Sequence, residues 1–209
     1  MKKKTIYHLI VDKSGSMMDC IDNTINGFNE QVNKIKALQR EYTEQHITIG
    51  LTTFNHFVDH HFFQYPAVMV EPLNRETYRI SGVTSLYDAI GDSVKNIELI
   101  IEETSKVYDT TVVVVVLTDG YENSSRHYRL PQIKEMIARL EATEKWTFSF
   151  IGATLDAVEV AEQLSIKRQN SFVFEKSAMS SEVWDKLGNS MENYMSKKRR
   201  GDKLDNLFD

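Results

Sequence analysis

The sequence predicts an α/β fold: a doubly wound, mostly parallel six-stranded sheet in the order 3-2-1-4-5-6, with one antiparallel edge strand and helices on both faces. Three observations lead there. Short apolar runs alternate along the chain with segments whose apolar residues recur every three or four positions. Two of those runs stop abruptly at an aspartate, Asp12 and Asp119. The clearest run, Thr111 to Leu117, holds five successive valines with no polar alternation, the pattern of a strand covered on both faces.

Taken in order, Ile6 to Val11 is a strand that feeds the polar turn Asp12-Lys13-Ser14-Gly15-Ser16. Behind it, Ile21, Ile25, Phe28, Val32 and Ile35 fall on one face of a helix. Ile47 to Phe54 reads as the second strand and His56 to Phe63 as the third. Asn55 stands at the bend between them, and so short a connection favours an antiparallel hairpin. Pro66 and Pro72 mark irregular chain up to Ser81-Gly82-Val83-Thr84. A second helical face follows in Leu86, Ala89, Ile90, Val94, Ile97 and Ile101. After the valine strand come a helix around Pro131 to Leu140, a strand from Trp146 to Ile151, and a helix from about Asp156 to Leu164. A short strand from Ser171 to Phe174 precedes the final helix, which carries Val183, Trp184, Leu187, Met191, Tyr194 and Met195 on one side.

At 209 residues, 41% apolar and 26% charged, the chain has the composition of one globular domain. No apolar stretch approaches the length of a membrane span. The basic start, Met1 to Lys4, lacks the apolar length and cleavage site of a secretory signal. A lone cysteine, Cys20, cannot pair within the chain and fits a cytoplasmic protein. The net charge of −5 repels nucleic acid and anionic lipid, so neither is an expected partner. The basic run Lys197 to Arg200 reads as the start of a solvated tail.

Three loops converge at the carboxyl ends of the strands: Asp12, Ser14 and Ser16 after the first, Thr84 ahead of a helix, and Asp119 after the valine strand. Two carboxylates and three hydroxyls are hard oxygen donors, suited to Mg²⁺, Mn²⁺ or Ca²⁺ rather than to zinc or copper. Alternate spacing in Asp-x-Ser-x-Ser lets the three side chains of an extended turn point the same way, and Gly15 keeps the bend permissive.

On these residues the chain resembles a von Willebrand factor type A domain with a metal-ion-dependent adhesion site. Asp12-Lys13-Ser14-Gly15-Ser16 matches that family's Asp-x-Ser-x-Ser motif, Thr84 its lone threonine, and Thr118-Asp119-Gly120 its second aspartate. The likeness covers about residues 5 to 196, giving a domain over 1–198 and a charged tail over 199–209. The resemblance implies that Ser14, Ser16 and Thr84 coordinate the ion through hydroxyls, while Asp12 and Asp119 hold it directly or through waters. Mg²⁺ is the expected ion, with Mn²⁺ and Ca²⁺ as alternatives. An Asp or Glu of a partner protein is the group it would capture, since neutral hydroxyls leave the ion's charge only partly offset. The implied role is a small stand-alone intracellular module of bacterial type, a scaffold or regulator in a larger assembly. Movement of the Asp119 loop and the last helix would change affinity. Lys13 departs from a neutral loop and would either repel the metal or face the partner.

Other features carry blander readings. A metal-assisted phosphohydrolase is the rival function, but the aspartyl mechanism needs a second acid two positions after the first, where Ser14 stands. No phosphate loop or dinucleotide fingerprint is present, so the chain is not expected to be an enzyme. Asp88 is expected to cap its helix or support the site rather than coordinate. His56 and His60 would share one face of a hairpin strand, with His61 on the other. Glu122 reads as a solvated loop acid, Trp146 and Trp184 as core, Cys20 as non-catalytic, and Arg200-Gly201-Asp202 as a chance tripeptide whose neighbourhood could offer an acid to another copy.

Overall fold

The computed structural model describes residues 1–153, 157–174, 181–204 and 206–208. Six strands, β1 (Lys2–Asp12), β2 (Gln45–Phe54), β3 (Val58–Tyr65), β4 (Tyr108–Thr118), β5 (Trp146–Gly152) and β6 (Ser171–Val173), form one sheet in the order β3-β2-β1-β4-β5-β6. Among the described residues only the β2–β3 pair is antiparallel. The predicted order and the antiparallel edge are therefore both observed.

Among the described residues the α-helices are α1 (Ile21–Glu41), α2 (Leu86–Thr104), α3 (Leu130–Glu141), α4 (Ala157–Gln163) and α5 (Ser181–Arg200). Side-chain alternation on the strands divides the core. Tyr7, Leu9 and Val11 of β1 and Val113 and Val115 of β4 pack with α1 and α5. Ile6, Ile10, Val112, Val114 and Val116 face the other way, toward α2, α3 and α4. All five valines are fully buried, contributing on the order of 10 kcal/mol before the entropy of ordering the chain is set against it. The apolar positions that predicted α1 explain its docking, and a close approach completes it: α1 has Gly27 where the Trp184 ring of α5 lies against the backbone. α3 begins at Leu130-Pro131, where proline loses no helical hydrogen bond, and Gln132 Oε1 accepts the N–H of Arg129 at 2.8 Å.

Several boundaries differ from expectation. β1 begins at Lys2, because Lys4 and Thr5 are buried against the starts of β2 and β4. β3 begins at Val58, which leaves His56 in the turn rather than on a strand face shared with His60. Phe174 lies just beyond β6 and joins the core. Asp156, the expected start of α4, lies outside the described residues, as do Asp205 and Asp209 of the C-terminal stretch.

The basic run is a correction. Lys197 to Arg200 form the last turn of α5, and Lys198 is buried, its ammonium donating to Lys4 O at 2.6 Å, Thr5 Oγ1 at 2.8 Å and Thr111 Oγ1 at 2.7 Å. Arg199 reaches Glu44 and covers the Tyr42 ring. Beyond the helix, Leu207 is buried in the α1–α5 layer and Thr147 Oγ1 donates to Leu204 O at 2.7 Å. A solvated tail does not describe Lys198 or Leu207, because hydroxyls at the strand starts and an apolar slot give them partners, while Arg199 to Lys203 are exposed. No helix among the described residues is long and apolar enough to cross a membrane.

Candidate metal centre

Asp12 ends β1 between β2 and β4 and is fully buried. Its carboxylate accepts the Ser14 N–H through Oδ1 and the Thr118 hydroxyl through Oδ2, each at 2.6 Å, and its main-chain carbonyl accepts the Tyr78 hydroxyl. The turn then brings Ser14 Oγ and Ser16 Oγ to 3.0 Å of one another, and Ser16 Oγ donates to Asp119 Oδ1 at 2.5 Å. Thus the first loop meets the end of β4.

Thr84 is brought in by two sets of contacts. Gly15 N–H donates to Gly82 O at 3.0 Å and Ser81 N–H to Lys13 O at 3.0 Å, which ties its loop to the first. Gly82 holds φ +73°, a left-handed conformation that suits glycine, and a side chain there would meet the His56 ring. From the other side, Asn123 Oδ1 accepts the Thr84 N–H at 2.9 Å, while Thr84 O accepts the N–H groups of Asn123 and Ser124.

The convergence shows most clearly at Gly120. A carbon in its side-chain position would lie 3.1 Å from Thr84 Oγ1, 3.3 Å from Ser16 Oγ and 3.7 Å from Asp12 Oδ2. Oxygens from two segments, the 12–16 loop and Thr84, therefore gather at one small space beside the missing side chain of the third. Ser14, Thr84 and Asp119 are almost wholly buried, and Ser16 stands at the exposed rim.

The electrostatics favour a cation there. Burial, the largest cause, pushes the Asp12 carboxyl up to about 6; hydrogen bonds from Thr118 and Ser14 oppose the shift, and the charge of Asp119 adds to it. Lys13 does not supply the compensating charge, since its ammonium pairs with Asp59 on β3. Among the described residues no group of three or more His, Cys, Asp or Glu is arranged to hold a metal. The donor set is two carboxylates with three hydroxyls, and it fits a hard cation.

Neighbouring residues act as clasps. The Asp88 carboxylate accepts the N–H groups of Arg126, His127 and Tyr128 at 2.8 to 3.0 Å, which fits the expected supporting role. Glu122 is not a solvated acid. It accepts from Tyr87, Ser124 and Ser125, closing the first turn of α2 against the loop after β4. His60 and His61 bond Thr52 and Thr53 on β2, Cys20 is buried, and Arg200 pairs with Asp202.

Thr118, Gly120 and Asn123 were not singled out as contributors by sequence. Thr118 and Gly120 flank Asp119 directly, a position that could have flagged them. Asn123 shows itself only through its contact with a loop distant in the chain.

A Rossmann-like sheet with oxygen-bearing loops gathered at the carboxyl ends of its central strands defines the class. Within it, the chain belongs to the von Willebrand factor type A domain family, whose profile matches residues 8–187. No curated protein sequence matches the chain. Solved structures share the fold at low identity. The von Willebrand factor domain of the type V pili tip protein Mfa5 from Porphyromonas gingivalis has a TM-score of 0.59 at 10% identity, with 92% of this chain and 96% of that one covered. Proximal thread matrix protein 1 from the mussel byssus, with a zinc-occupied MIDAS motif, has a TM-score of 0.54 at 19% identity, covering 92% and 45%. The ArnB paralog VWA2 from Sulfolobus acidocaldarius has a TM-score of 0.54 at 14% identity, covering 90% and 45%. The chain thus spans less than half of the mussel and Sulfolobus proteins.

Proposed function

We propose that this von Willebrand factor type A domain is a divalent-metal-dependent protein-binding module. Its metal-ion-dependent adhesion site would capture an Asp or Glu of a partner protein, as a scaffold or regulator within a larger assembly. The observation that carries this reading is the space beside Gly120, faced by Thr84, Ser16 and Asp12 oxygens. Asp12, Ser14, Ser16, Thr84 and Asp119 would hold the ion. Mg²⁺ is the favoured ion, with Mn²⁺ and Ca²⁺ as alternatives; oxygen donors without sulfur or imidazole support a hard cation over the zinc of the mussel protein.

When bound, the ion supplies a Lewis-acidic charge that an outside carboxylate can complete. The chain's own residues do the rest. Neutral hydroxyls limit how far that charge is cancelled, while Thr118 and Ser14 fix the Asp12 carboxylate in one orientation. A binding role is favoured over a phosphohydrolase because the residue two positions after Asp12 is Ser14, which is no general acid. A cytoplasmic setting suits the single buried thiol of Cys20.

Calorimetric titration with Mg²⁺, Mn²⁺ and Ca²⁺, with Asp12→Ala and Thr84→Ala as controls, tests the first half of the proposal. Metal-dependent heat and stabilisation in the wild type alone are expected. Capture of a partner from native extract, with and without chelator and with Asp119→Ala, tests the second. Absence of any metal response in the wild type would overturn the reading.

A further inference from the structure

A second polar surface lies at the opposite end of the sheet from Asp12 and Asp119. Lys2 and Lys3 begin β1, Gln45 and His46 begin β2, and Tyr108 begins β4, with Lys3 registered on Gln45 and Lys2 on Tyr108. These strand starts border a hollow of about 380 Å³. A second hollow of about 240 Å³ adjoins it, and the two share Gln39 and His46 as a common wall.

The charge of this surface runs against that of the chain. The protein carries −5 overall, yet the two hollows are lined by Lys2, Lys3, Lys36 and Arg40. Their one acid, Glu44, is held by Arg199 Nε at 2.9 Å, outside the lining. Among the described residues, Lys2, Lys36 and Arg40 take part in no ion pair. Burial, then the charges of Lys4 and Lys2, hold His46 below its ordinary pKa, consistent with a positive local field.

The second hollow is also apolar. Ile47 and Ala67 are buried at its floor, Pro66 and Val68 form its lip, and Val68 is 72% exposed with Met69 beside it at 64%. Clustered exposed apolar side chains of this size next to unpaired cations mark an interaction surface rather than ordinary scatter.

We propose that the two hollows form one docking groove for a short acidic segment of a partner protein, bearing an apolar side chain among its carboxylates. The carboxylates would meet Lys2, Lys3, Lys36 and Arg40, and the apolar side chain would enter between Pro66 and Val68. A concave surface with a narrow apolar floor suits a chain segment better than the plane of a bilayer. A net charge of −5 opposes a long polyanion such as nucleic acid, whose field extends past the groove. The site needs no metal, and it would let the module hold two acidic partners at opposite ends of one sheet.

The test is fluorescence anisotropy with a fluorescein-labelled peptide of glutamates with leucine at every third position. The comparison probes are the same peptide with serine for leucine, oligothymidylate, and phosphatidylserine vesicles. With EDTA present and in the Thr84→Ala background, so that the metal site cannot capture its glutamates, the leucine peptide is expected to bind best. The charge-reversed Lys36→Glu/Arg40→Glu protein should bind it about tenfold more weakly, and Lys36→Arg/Arg40→Lys should restore it. Far-UV circular dichroism checks that these variants, at half-buried Lys36 and exposed Arg40 of α1, remain folded. Under these metal-free conditions, equal binding of the serine peptide, tighter binding of oligothymidylate or vesicles, or no peptide binding would each overturn the groove. None of these outcomes bears on whether Mg²⁺ binds at the other end.

Discussion

Asn123 and Thr84, far apart in the chain, are joined in both directions: Asn123 Oδ1 accepts the Thr84 N–H at 2.9 Å, and Thr84 O accepts the Asn123 N–H at 3.0 Å. The loop that carries Asp119 therefore also fixes the threonine expected to share its ion. Residues that orient metal ligands typically govern affinity by about tenfold or more when removed. Asn123→Ala should weaken Mg²⁺ binding by about that factor while costing about 1 kcal/mol of stability, as read by calorimetry and thermal melting. Unchanged affinity would show that Thr84 is positioned by its own loop alone.

Gly120→Ala should separate metal binding from folding. Its backbone is outside the left-handed region, so the new methyl group adds no φ strain. It would lie 3.1 Å from Thr84 Oγ1 and 3.3 Å from Ser16 Oγ, and those hydroxyls must shift by a few tenths of an ångström to admit it. The variant should melt within about 1 kcal/mol of the wild type without metal, the range of a tolerated small change. Its stabilisation by Mg²⁺ should vanish. A retained metal response would move the ion away from Gly120.

Gly27→Ala probes the α1–α5 contact. A methyl group there would lie 2.0 Å from Trp184 Nε1, well inside contact distance, so either helix must shift. Overpacking of this kind costs about 1–3 kcal/mol. Denaturant unfolding should show the loss, and tryptophan emission should move to the red as Trp184 gains water. An unperturbed spectrum would mean that the ring escapes into free space.

Lys198 gives the pH dependence a sign. Burial, the leading cause, lowers its amine from the ordinary 10.5 to about 7. Between those values the unfolded chain binds a proton that the folded chain does not. Raising the pH removes that advantage, so stability should climb from pH 7 toward 10, by at most about 1.4 kcal/mol per unit. Lys198→Met should flatten this rise in urea unfolding series at pH 6 to 9. A wild-type curve parallel to that of the variant would show that the amine keeps its proton at ordinary pH.

Elements whose signal is local were legible in sequence. The valine run of β4 and the acids that end β1 and β4 announce themselves without knowledge of the rest, as does the three-four spacing of α1. The hairpin was seen but shifted by two residues, since His56 packs on Gly82 of another loop instead of joining β3. Hidden features depend on distant partners. Lys198 sits within a run of four basic residues that reads as solvated, and its burial is offset by the Lys4 carbonyl and the Thr5 and Thr111 hydroxyls, partners the local sequence does not show. Glu122 looks like an ordinary surface acid until the amides of Tyr87, Ser124 and Ser125 are placed around it. Asp88 is expected to cap or support, but its particular partners show only once the 126–128 loop is in place.

The buried valine strand sets a timescale as well as a position. Amides in a fully covered central strand exchange with solvent only through global opening, whereas those of exposed loops exchange through small local excursions. Asp119 follows the last residue of that strand, and Asp12 ends its neighbour. Two of the five oxygen-bearing residues are thus anchored to a fully covered part of the molecule, while Ser16 stands on the exposed rim, so an incoming ion would meet a fixed back wall behind a more open front.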